Sequence, residues 1–160
     1  METTQKESKC RVVSGNNGNV QLEIMSEKEA LEIANGSHQI LIDRVRMKTN
    51  IIFCNGKSKE FDGQIKKVDG KPIELLKRLM MRPGRFLSSY DIGKIGEHDD
   101  SFFIGANIIS YVAKLRKFLF AGNGYEFIKT SSKPYRIALS GDISFCWIEP
   151  YYENKDQESN

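Results

Sequence analysis

At 160 residues, with 24 Lys and Arg against 21 Asp and Glu and a net charge of +3, the chain is long enough to bury a core without cross-links, as one medium domain or a small domain with an added module. Three widely spaced cysteines, Cys10, Cys54 and Cys146, indicate neither a disulfide framework nor a zinc site, and a polar start with apolar runs of only a few residues shows no signal for secretion or a membrane span, so a reducing cytoplasm is expected. The charge is uneven: residues 71–140 carry 12 Lys/Arg against 6 Asp/Glu and residues 141–160 carry 1 against 5, which places an expected polyanion-facing surface in the second half.

Residues 1–9 are polar and expected to be disordered. Arg11-Val-Val13 and Val20–Met25 flank Gly15-Asn-Asn-Gly-Asn19, and the second run alternates apolar and polar residues as a half-buried strand does, which predicts a hairpin. Ser26 and Glu29 have the spacing of a capping box, ahead of Ala30, Leu31, Ile33 and Ala34 and a stop at Asn35-Gly36. A short helix is expected there. From Gln39 the pattern is extended again, in Ile40–Asp43, Val45–Lys48 and Ile51–Cys54. With Asn55-Gly56 and Asp62-Gly63 as tight turns, it predicts an antiparallel meander to Val68. Asp69 as cap and Pro72 in the first turn open a helix with the inner stripe Ile73, Leu76, Leu79 and Met80, which Arg82-Pro-Gly84 ends. Ser88 and Asp91 repeat the capping pattern for a shorter helix carrying Ile92 and Ile95, and Gly96–Gly105 reads as a loop.

Asn107–Leu119 is the stretch with two distinct faces. Ile108, Val112, Leu115 and Leu119 fall at i, i+4, i+7 and i+11, one apolar stripe that belongs in a core. Lys114 and Lys117 point elsewhere with Arg116 beside them, Ser110, Tyr111 and Ala113 complete the outer face, and no Asp or Glu lies between Ser101 and Tyr125. Phosphates reward cations and repel acids, so this face suits a major groove. Gly122-Asn-Gly124 ends the helix. Tyr125–Thr130 and Tyr135–Leu139 then form a hairpin with Ser131-Ser-Lys-Pro134 at its tip, and Ile143–Ile148 adds a strand before Pro150 and a polar tail.

Three helices followed by a hairpin predict an α+β fold, a winged helix-turn-helix with an N-terminal antiparallel β-sheet, three helices and a C-terminal β-hairpin wing. Residues 1–38 are then an N-terminal extension, 39–140 the winged helix-turn-helix and 141–160 an extra strand with an acidic tail.

Arg82-Pro-Gly-Arg-Phe-Leu-Ser88, Lys114-Leu-Arg-Lys-Phe-Leu119, Phe127-Ile-Lys-Thr130 and Tyr135-Arg136 resemble, in order and spacing, the effector domain of OmpR/PhoB-type response regulators. The resemblance spans residues 39–139 and implies a bacterial, sequence-specific DNA-binding transcription regulator. Asn107–Leu119 would be its recognition helix and Ser131–Lys133 the tip of its wing. It implies contacts to DNA from Asn107, Ser110, Tyr111, Lys114, Arg116 and Lys117 on the helix. On the wing it implies contacts from Lys129, Thr130, Ser131, Ser132 and Lys133. Double-stranded DNA is the implied partner, with room for RNA polymerase or another regulator and for a homodimer. The sequence departs from the family at Ala106 and Ala113, where basic residues are common, and in a wing without the family's Arg-Gly-x-Gly, which implies fewer phosphate contacts. Only 38 residues precede the resembling stretch where a receiver would stand, and they hold no acidic cluster, so control by aspartyl phosphorylation is not expected. Residues 11–37 have no counterpart in the resembled domain and are expected to pack on the meander or on a second subunit.

Two other functions compete with DNA binding. An enzyme or metal site would have to use His98 in Glu97-His-Asp-Asp100, which has no second His or Cys at ligand spacing, so neither catalytic residues, nor a metal, nor a cofactor is expected. A protein-contact module that does not bind DNA would use Ile109, Tyr111 and Phe118 as anchors.

Overall fold

The computed structural model of the protein describes residues 8–63, 68–95, 103 and 105–152. Most of the polar start, the loop around His98 and the tail from Glu153 lie outside the described residues.

A hairpin opens the fold. β1 (Lys9–Asn16) and β2 (Asn19–Ser26) pair around Asn17-Gly18, whose φ angles of 51° and 83° are what a two-residue turn needs to match strand twist. The hairpin is tighter than the five-residue loop the glycines suggest. In α1 (Glu27–Ala34) the capping box is in place: the Glu29 N–H donates to Ser26 Oγ at 3.2 Å, and the Glu29 carboxylate accepts from the Ser26 N–H at 3.4 Å. β3 (Ile40–Asp43), β4 (Lys48–Ile52) and β5 (Ser58–Asp62) form the antiparallel meander. The expected strand at Val45–Lys48 is not formed: residues 44–47 are a turn, and only Lys48 joins the run at Ile51, in the single strand β4. The buried Asp43 carboxylate accepts the N–H groups of Val45 and Arg46, both at 2.9 Å, and curls that segment into a turn.

α2 (Lys71–Met80), α3 (Ser89–Gly93), α4 (Gly105–Phe118) and the single turn α5 (Gly124–Phe127) follow, then β6 (Ile128–Ser132), β7 (Tyr135–Leu139) and β8 (Phe145–Tyr151). Asp69 does not cap α2; Gly70 is the N-cap residue, and the Asp69 carboxylate lies 3.0 Å from Arg44. Ser88 and Asp91 do form the expected box at α3.

The connectivity departs from the sequence-based expectation. One sheet runs β2-β1-β8-β3-β4-β5, with β8 antiparallel to β1 and parallel to β3. The fold is α+β on a six-stranded mixed sheet with five helices among the described residues, and the predicted winged helix-turn-helix with a separate N-terminal antiparallel sheet and three helices is not its architecture. The cause lies in β8. Phe145, Cys146, Trp147 and Ile148 are all buried, and a run apolar on both faces belongs in the interior of a sheet covered on both sides. Boundaries at residues 38 and 140 therefore run through this sheet, because β1, β8 and β3 are neighbours in it.

Alternate residues of the central strands supply two cores. Val13, Ile40, Ile42, Phe145 and Trp147 join α2 and α4 on one face, while Cys10, Val12, Cys146 and Ile148 meet Ala30 and Ala34 of α1 on the other. Two polar contacts align α2. Lys77 Nζ donates to Glu149 Oε1 at 2.9 Å, an oxygen that also accepts from Trp147 Nε1 at 2.8 Å. Buried Arg78 donates to the carbonyls of Ile92 and Gly93 at 3.0 and 3.2 Å, satisfying the open end of α3. No helix among the described residues is long and apolar enough to cross a membrane.

Candidate nucleic-acid interface

The apolar stripe sets the rotation of α4. Ile108, Val112, Leu115 and Leu119 are buried, which leaves Ile109, Ser110, Ala113, Lys114 and Lys117 exposed on the outer face. Asn107 is half-buried at the start of the helix. Tyr111 is also half-buried; it packs on the main core with its ring edge-on to Phe103 at a centroid distance of 6.1 Å. Its position is a packing position, with only part of the ring left for a partner.

Arg116 turns inward. Its guanidinium donates to the Ile128 carbonyl and stacks 4.2 Å from the centre of the Tyr125 ring. Gly124 makes room for it, since a Cβ there would fall 2.1 Å from Arg116 Cγ. The arginine that the resemblance implies for DNA is thus a strut between α4, α5 and β6. No spacing rule could have shown this, because it depends on where residues 124–128 return.

The hairpin presents Lys129, Thr130, Ser131, Ser132 and Lys133, all exposed, and Ser131 Oγ donates to the Pro134 carbonyl at 3.2 Å across the tip. Its first strand begins at Ile128 rather than Tyr125, which lies in the α5 turn. Leu87 and Ile137 exchange backbone hydrogen bonds of 2.8 and 3.0 Å, and the Gly84 N–H donates to Leu139 at 2.7 Å, so the hairpin is fixed to the segment between α2 and α3.

An open groove of about 610 Å3 separates α4 from the hairpin, with Ile109, Ala113 and Lys117 on one wall and Thr130 and Tyr135 on the other. The two elements singled out by sequence are therefore adjacent. Val112, Arg116, Gly122 and Tyr125 complete the lining, and no spacing or composition signal marks Tyr125 in advance.

Neither α4 nor the hairpin contains an Asp or Glu, and Lys114, Lys117 and Lys133 have no acidic partner among the described residues. Lys129 and Arg136 are partly neutralised. Asp142 accepts a hydrogen bond from Ser140, which with the charge of Lys129 holds its carboxyl below the ordinary value; Asp91 lies 3.8 Å from Arg136. The uncompensated positive charge comes from the three other lysines. No family model matches the chain, and neither a curated protein nor a solved structure does. The likeness to OmpR/PhoB-type domains therefore stands on its four short motifs alone. The exposed groups are ammoniums, hydroxyls and a small apolar strip, which can hold a polyanion in place.

Proposed function

We propose that the protein binds double-stranded DNA through the outer face of α4 and the β6–β7 hairpin, as a transcription regulator. One observation carries this reading: Lys117 lines a groove shared by the helix and the hairpin, Lys114 and Lys133 are exposed on those same two elements, and neither element contains a carboxylate. Ser110, Thr130, Ser131 and Ser132 stand among them as neutral donors for phosphate oxygens. The reading does not require a winged helix-turn-helix, only a helix and a hairpin side by side.

The groove's apolar lining favours a second reading, a protein-contact module. It is the weaker of the two, because of the three anchors expected for it Tyr111 and Phe118 pack against the core and Ile109, 53% exposed, is the one left at the surface. Binding to random-sequence duplex DNA across a salt series separates them. Replacing Lys114 and Lys117 with Ala should weaken binding and flatten log K against log salt by about 0.9 for each phosphate that is no longer engaged. Absence of DNA binding at low salt, or an unchanged slope in the double variant, would leave the protein-contact reading standing.

A further inference from the structure

The two edges of the sheet are built differently. β5 carries Lys59, Glu60 and Asp62, with Lys57 just before it, charges of the kind that keep a second strand away. β2 has no Lys and no Pro, a single charge at Glu23, and Val20, Leu22 and Ile24 exposed at 38%, 57% and 48%. A monomer has reason to blunt such an edge, and this one is left open.

The register shows which backbone groups are free. Asn16 and Asn19 close the two-residue turn, and in an antiparallel ladder the pairs that exchange hydrogen bonds recur every second residue. Asn19, Gln21, Glu23 and Met25 therefore direct their N–H and C=O groups at β1. Val20, Leu22 and Ile24 direct theirs outward, so the residues with exposed apolar side chains also carry the open hydrogen-bonding groups.

We propose that β2 pairs with β2 of a second copy, antiparallel, about a two-fold axis at Leu22. In that register Leu22 meets its own counterpart, Val20 meets Ile24 and Gln21 meets Glu23, so each of the three exposed apolar residues has an apolar partner and the carboxylate faces an amide. An axis at Glu23 would set two carboxylates opposite each other, and one at Gln21 would leave Ile24 without an apolar partner. The two-fold axis stands perpendicular to a continuous sheet, which puts both α2–α4 layers on the same face. Two copies of the groove lined by Lys117 then point to one side. The pairing itself rests on the edge and its register and is independent of what the groove binds.

Sedimentation of the full chain over a concentration series tests this, with circular dichroism to establish that each variant is folded. The unaltered chain should pass reversibly from monomer to dimer. Leu22→Pro removes an outward N–H without touching the β1 ladder, and Leu22→Lys places a charge in the middle of the stripe; both should be monomers. Gln21→Lys sets an ammonium opposite Glu23 twice per dimer and should tighten the dimer roughly 2- to 30-fold, a gain that adding Glu23→Lys reverses. A monomer at every concentration, a dimer indifferent to both Leu22 variants, or a dimer weakened by Gln21→Lys would overturn the proposal. Because the Gln21 arm needs no change at Leu22, a failure of the Leu22 variants to fold leaves it decisive.

Discussion

Arg116 and Cys146 show how far a residue's chemistry is set by what returns to it from elsewhere in the chain. The sequence marked Arg116 as one cation among several; the close approach of Gly124 and the Ile128 carbonyl make it a strut. Arg116→Ala should therefore lower the melting temperature, whereas Lys114→Ala should leave it nearly unchanged, and thermal unfolding of the two variants separates the roles. Cys146 was legible only as an unpaired cysteine. In the fold it lies in the central strand, and burial, with the charge of Asp43 adding to it, pushes its thiol up to about 12. Cys10 is raised in the same direction, first by burial and then by Glu27, while Cys54 is exposed. The thiolate is the reactive form, so a mild alkylating reagent should modify Cys54 in the native protein and reach Cys10 and Cys146 only on unfolding. Mass mapping of the labelled peptides checks this, and native labelling at Cys146 would contradict its placement.

Among the elements, those governed by local rules were the ones that could be read in advance. Both capping boxes, the Asn55-Gly56 turn and the stripe of α4 need only a few neighbouring residues, and each lies where its spacing puts it. The Ser88–Asp91 box has a pH signature. Hydrogen bonds from Ser88, with a smaller share from Arg136, hold the Asp91 carboxyl below its ordinary value of 3.8. A carboxyl lowered on folding stabilises the protein above that value and loses its contribution as pH falls through the folded one. Asp91→Ala should therefore melt earlier than the parent at neutral pH, with the gap shrinking below about pH 3.8; a gap independent of pH would mean that the box acts by shape alone. Leu115→Ala in α4 should cost about 2 to 5 kcal/mol in chemical denaturation, because the residue is fully buried. Loss of DNA binding in that variant without loss of stability would show that the helix is rotated.

At the scale of the whole molecule, the sequence was least informative where pairing is least local. Phe145–Ile148 was recognisable as an apolar strand, but nothing near it in the chain says that it lies between β1 and β3, because Ile40 pairs with Phe145 across more than half the chain. The β6–β7 hairpin was legible and the six-stranded sheet was not. A protein ending at Ser140 should consequently lose its cooperative unfolding transition, since both cores lose their β8 residues. A sharp transition retained in that shortened chain would mean that β8 is dispensable. The position of β8 also has a meaning in time. During synthesis β1–β2 and β3–β5 leave the ribosome long before residues 145–151 exist, and each waits with an apolar strand edge unpaired. Such a delay favours slow, long-range closure and passing adhesion to other chains, so the nascent protein is most in need of a chaperone just before its middle strand arrives.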